Sequence, residues 1–148
     1  MPGYISESLR FDYVEASAVA GTTDLTTDIL DMTGYDGVLF VVLTGDVSDT
    51  SALRLRPWQN TASSTSSPTP VELACTASHT ASATDADSKL LAVDVLRPSA
   101  RYVYAVLERD TANAVINGIL AIRYRARSEA VTTTGILALA QALTPASV

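Results

Sequence analysis

The chain has 148 residues, of which 47% are hydrophobic and 18% charged, a profile of one globular domain rather than of a disordered segment. Its formal net charge of −6 argues against a nucleic-acid binder, because phosphate contacts need clustered Lys and Arg. Folding at this size buries roughly 70% of the extended chain's surface, so a core of Val, Leu, Ile and Ala needs no staple.

The dominant hydrophobic period is two, the mark of β-strands. Residues 1–8 stand outside it and read as an N-terminal arm, without the basic region and apolar run of a signal peptide. Strands are expected over 9–15, 25–32, 37–44, 51–58, 70–76, 89–96, 101–108 and 114–125. Thr33-Gly34-Tyr35-Asp36-Gly37 marks a turn before the third strand, and Thr44-Gly45-Asp46 one after it. Arg97-Pro98-Ser99 and Asp110-Thr111-Ala112-Asn113 separate the last three strands. In the fourth, Leu53, Leu55 and Pro57 alternate with Arg54, Arg56 and Trp58, and Trp58 reads as a core or strand-end residue. The seventh is apolar on both faces. Gly118 interrupts the eighth and marks a bulge.

Gln59–Thr69 and Thr76–Ser88 are Ser/Thr-rich and read as exposed polar loops. No amphipathic helix interrupts the strands, which argues against a βαβ fold. The expected fold is all-β: a jelly-roll-like two-sheet sandwich or barrel of about eight strands over 9–127, with N- and C-terminal extensions. Residues 128–148 form the tail, where helical spacing places Ile136, Leu139, Ala140 and Leu143 on one face.

Catalytic chemistry finds little purchase. The single His79 lies in a polar loop, and a triad needs it beside a nucleophile and an orienting acid. Cys75 is the one cysteine; it excludes an intrachain disulfide and reads as a small core residue. A zinc site is not expected from one sulfur and one imidazole. Asp85-Ala86-Asp87-Ser88 has part of a calcium-loop spacing but lacks its glycine and distal glutamate. No phosphate loop is present, and no cofactor is expected. With no approach to the ~20 apolar residues of a membrane helix, no membrane contact is expected either.

Charge is unevenly placed. Residues 1–50 carry nine acids and one base, whereas residues 97–127 carry six arginines against Glu108 and Asp110. Folding either joins the two stretches or presents them to neighbouring subunits. The candidate contact residues are Asp24, Asp28 and Asp31; Arg97, Arg101, Arg123, Arg125 and Arg127; and Ile136 and Leu139 in the tail.

Several stretches resemble one family. They are Gly34-Tyr35-Asp36-Gly37-Val38-Leu39-Phe40, Asp85 to Leu91, Val93 to Pro98, Arg101-Tyr102-Val103, and Asn113-Ala114-Val115 running to Ala121-Ile122-Arg123-Tyr124. In their order from Tyr35 onward, over about two thirds of the chain, the sequence resembles the head decoration, or cement, proteins of tailed bacteriophages. The resemblance implies a jelly-roll-like fold made in the bacterial cytoplasm, bound to the outside of an assembled capsid. The implied partners are the major capsid protein and further copies of the chain, as a homodimer or homotrimer. The tail after Glu129 is not covered. The alternative reading is a receptor- or carbohydrate-binding β-sandwich of a phage tail or baseplate, using the loops, Trp58 and tyrosines.

Overall fold

The computed structural model describes residues 4–125 and 137–140; Arg127 and Ile136 lie outside them. A 3-10 turn, Ile5–Ser8, leads into eleven strands. These are β1 (Arg10–Glu15), β2 (Ala18–Gly21), β3 (Leu25–Thr26), β4 (Leu30–Asp31), β5 (Gly37–Val47) and β6 (Ala52–Asn60). After them come β7 (Val71–Glu72), β8 (Ala77–Thr80), β9 (Leu90–Leu96), β10 (Tyr102–Asp110) and β11 (Ala114–Tyr124).

One sheet runs β1-β11-β5-β9, with β2 also on β11; the other runs β3-β10-β6-β7, with β4 also on β10 and β8 on β6. The pairs β1/β2, β3/β4 and β7/β8 each occupy a single lateral position, so the eleven pieces fill eight positions. In chain order the first position pairs with the eighth, the second with the seventh, the third with the sixth and the fourth with the fifth, all antiparallel. This nested pairing, dealt alternately to two sheets, is a jelly roll.

Alternation decides what the sandwich encloses. Val38, Phe40 and Val42 of β5, Ile119 and Ala121 of β11, Leu55 of β6, and Val103, Ala105 and Leu107 of β10 are all fully buried between the sheets. Each large side chain among them contributes about 1.5–3 kcal/mol relative to an exposed position. The Gly118 bulge is present: the β11–β5 register shifts between Ile116 and Gly118, and Gly118 has φ +144°. A Cβ there would run into the Tyr13 ring, whose hydroxyl donates to the Asn117 carbonyl at 2.8 Å. Gly37 lies in the same way beneath the Tyr124 hydroxyl.

Several sequence expectations change. No turn falls at Thr44-Gly45-Asp46, because β5 runs through it to Val47, and the strand over 25–32 is two short pieces, Leu25–Thr26 and Leu30–Asp31. The strand over 70–76 is only Val71–Glu72, and Cys75 sits half-buried against the core in the connection after it. The presumed loop 76–88 contains β8, and its Ala81 and Ala86 are buried. Thr44 Oγ1 donates to the Ala86 carbonyl at 2.7 Å, while the Val47 and Ala83 amides donate to Asp87 and Asp49. Asp87 within the loop and Asp49 just beyond β5 thus fasten it to the end of that strand. Finally, Gln59 and Asn60 are not loop residues but the buried end of β6. Asn60 Nδ2 donates to the carbonyls of Ser64 and Pro68, tying down the Ser/Thr-rich connection.

Candidate functional site

The acid-rich and arginine-rich stretches meet inside the chain, because the jelly roll places its first strands beside its last. Arg123 faces inward on β11 and is 6% exposed. Its guanidinium donates to Asp12 at 2.6 Å and to the Asp31 carbonyl at 2.8 Å, with Tyr35 5.1 Å below. Arg123 is therefore an internal tie, not the outward contact expected of it. Asp31 receives a two-pronged bond from Arg101, at 3.0 and 2.8 Å. That bond holds the Asp31 carboxyl well below the usual carboxylate range, against the opposing effect of burial. Both side chains are about half exposed, so solvent screens the pair and it adds little to stability.

Arg109 went unremarked in the sequence. It continues the inward face of β10 after Val103, Ala105 and Leu107, and is 4% exposed. It donates to the carbonyls of Thr23, Val19 and Ala114 at 2.7–2.9 Å, closing the opposite corner of the sandwich. The period-two register was the signal that singles it out.

Four candidate residues remain outside any ion pair among the described residues: Asp24, Asp28, Arg97 and Arg125, all exposed. The strand ends sort them. At one end β5 starts and β9 and β11 stop, with Leu96 and Tyr124 flanking Gly37. Arg97 and Arg125 follow directly there, and Arg101 lies on a shallow depression of about 520 Å³ shared with Tyr35 and Arg97. The opposite end carries Asp24, Asp46, Asp49, Asp85 and Asp110, all exposed. The barrel thus has an arginine end and an acidic end. Asp28 belongs to neither. It borders a cleft of about 380 Å³ between β1 and β4, beside Arg10 and Asp12. Leu139 is 54% exposed and Leu137 wholly so.

The outer faces of the two sheets differ in chemistry. On the β10–β6 face, Arg56 bridges two carboxylates. It donates to Glu72 at 2.6 and 2.5 Å and to Glu108, which Arg54 also engages at 2.7 Å. The Arg56 bond holds Glu72 below its ordinary pKa. Burial pushes Glu108 up, but its bonds from Arg56 and Arg54 more than reverse this. Trp58 lies on this face opposite Tyr104, half-buried beneath the Arg56 guanidinium at 5.4 Å. It is therefore not a residue of the sandwich core. The outer face of β1-β11-β5-β9 is apolar instead. By register, Phe11 meets Ile122, Tyr13 meets Leu120, Leu39 meets Ile122, and Leu43 meets Leu90. None of these side chains is buried.

His79 projects from β8 with its Nε2 3.3 Å from Asp85, the two side chains 47% and 46% exposed. Asp85 is held below its ordinary pKa first by the Ser82 amide and then by His79. Asp87, the other acid of the suspected calcium loop, accepts from the Val47 amide at 2.8 Å. Among the described residues no group of three or more His, Cys, Asp and Glu could hold a metal ion. None of their helices is long and apolar enough to cross a membrane.

No protein-family model matches the chain, and no curated protein does. Among solved structures it is similar to "Structure of Eiger TNF from S. frugiperda", with TM-score 0.39 and 8% identity, over 85% of this chain and 98% of that one.

Proposed function

We propose that this chain is a structural protein of a tailed-phage particle that binds the outside of the capsid and stabilises it. The observation that carries the reading is the arginine end of the barrel. Arg97 and Arg125 stand there exposed and, among the described residues, outside any ion pair. Arginine forms two-pronged contacts with carboxylates and is enriched at protein interfaces. An acidic opposite end orients such a subunit on a shell by charge, and symmetry-repeated weak contacts reinforce one another. The resemblance of the stretches from Gly34 to Tyr124 to head decoration proteins supports the same role. It also supports action as a homodimer or homotrimer beside the major capsid protein.

The test is capsid binding by Arg97→Ala/Arg125→Ala. Both side chains are exposed, so the fold survives their loss. Purified particles incubated with this variant are expected to show reduced occupancy by electron microscopy and reduced resistance to heat. Unchanged occupancy overturns the arginine-end reading. Failure of the wild-type chain to bind the particle overturns the capsid role itself.

A further inference from the structure

We infer that the outer face of the β1-β11-β5-β9 sheet is a self-association surface, and that its occupant is the same face of a second copy of this chain. The inference takes from the proposed function only that copies associate; it names the surface through which they do so.

The face is apolar across all four strands. Tyr13 of β1 is 55% exposed, Leu43 of β5 38%, and Leu90 and Leu96 of β9 69% and 53%. Leu120 and Leu39, both partly buried, fill the middle. Four strands about 4.8 Å apart and seven residues at about 3.3 Å make a plate of roughly 19 by 23 Å, on the order of 400 Å² in projection. A patch of that size is within the roughly 300–600 Å² of a monomer's largest apolar patch, which is often functional. A stable interface takes about 800 Å² from each partner, with an apolar centre and a polar rim. The plate supplies the centre. Lys89 and Glu15, at the strand ends that border it, supply a rim of both signs.

The chemistry selects a second copy over other occupants. An isologous contact requires a self-complementary patch, and this plate holds a single charged group among its outward positions. That group is Asp94, which accepts a hydrogen bond from the Tyr124 hydroxyl at 2.6 Å. Asp94 lies on the edge strand β9, so two such plates stacked over β11 and β5 put no charge at the centre of their contact, as sheets stack about 10 Å apart in a sandwich. The other sheet's outer face, with Arg54, Arg56, Glu72 and Glu108, has no such character. Leu137 is wholly exposed and Leu139 54% exposed, so neither is packed against the plate.

Sedimentation equilibrium on the full chain tests this. The wild type is expected at the mass of two chains, the closure that an isologous face gives; a mass of three chains overturns the same-face pairing. Leu90→Glu/Leu96→Glu and, separately, Ala92→Arg are expected at the mass of one, with far-UV circular dichroism and thermal midpoint close to wild type. Ala92 is exposed at the middle of β9, so Ala92→Arg adds charge without removing an apolar atom and decides the matter if the double variant does not fold. Val71→Glu, at an exposed position of the other sheet, is expected to keep the wild-type mass. A wild-type monomer at concentrations well above micromolar overturns the inference, whether the plate is then open or covered by the tail. An oligomer that both plate variants leave intact also overturns it. A chain that assembles through this face yet leaves capsids undecorated refutes the capsid role alone. One that decorates as a monomer refutes this inference alone.

Discussion

Arg123 and Asp12, 111 residues apart in the chain, meet at 2.6 Å between the last strand and the first. The pair lies where the chain closes on itself: among the described residues β1 pairs with β11 alone. A buried ion pair adds little over a well-packed apolar pair, but removing one partner strands a charge in the interior.

Asp12→Ala is accordingly expected to destabilise the fold by about 3 kcal/mol or more, measured by urea unfolding at neutral pH. Asp12→Leu combined with Arg123→Met is expected to recover most of that loss. A double-variant loss equal to the sum of the two single losses would show that the two side chains act independently.

Gly118 has φ +144° beneath the Tyr13 ring. Gly118→Ala is expected to cost more than about 1 kcal/mol, since neither the backbone angle nor the space suits a Cβ. Combining it with Tyr13→Ala removes the collision and leaves the backbone strain. The double variant is therefore expected to lose less than the sum of the two single changes in thermal melts. Strict additivity would remove the ring from the explanation.

Glu72, Glu108 and Asp31 all titrate below their ordinary values in the folded chain. As pH falls the unfolded chain takes up these protons first, near pH 4. The stability they contribute is therefore present at neutral pH and is lost as pH falls below about 4 toward their folded-state values. Arg56→Met removes the main partner of Glu72 and one of the two partners of Glu108. It is expected to unfold at lower urea than wild type at neutral pH, with the gap closing in acid. A gap that is constant with pH would mean that Arg56 acts by packing over Trp58.

Burial, and then the hydrogen bond to Asp94, push the Tyr124 hydroxyl up to about 12. An unfolded tyrosine titrates near 10, so the folded chain holds the proton more tightly. The associated stability is complete below about pH 10 and is lost as pH rises through about 12. Tyr124→Phe is expected to flatten the alkaline fall in stability and to remove a late-titrating phenol from the absorbance titration. An unchanged titration curve would place the tightly held proton on another tyrosine.

The period-two pattern was enough to locate the eight lateral positions, because alternation is a local property that each strand carries by itself. The Gly118 bulge was legible for the same reason. Where the reading went wrong, small polar residues had a partner far along the chain. Thr44, Asp49 and Asp87 fasten the 81–88 segment across more than 30 residues, and no composition window contains both halves of such a bond.

By itself the sequence determined an all-β chain, with a strand spacing that leads to a jelly roll and an acid-rich stretch separate from an arginine-rich one. Only the tertiary structure decided what those stretches do. Pairing the first strands with the last turned Asp12, Asp31, Arg101 and Arg123 toward one another and left Arg97 and Arg125 facing outward. It also made one sheet's outer face continuous and apolar. Each of its strands contributes a few exposed apolar residues, unremarkable singly; antiparallel register sets them side by side, and only contiguity makes a surface that another chain can cover.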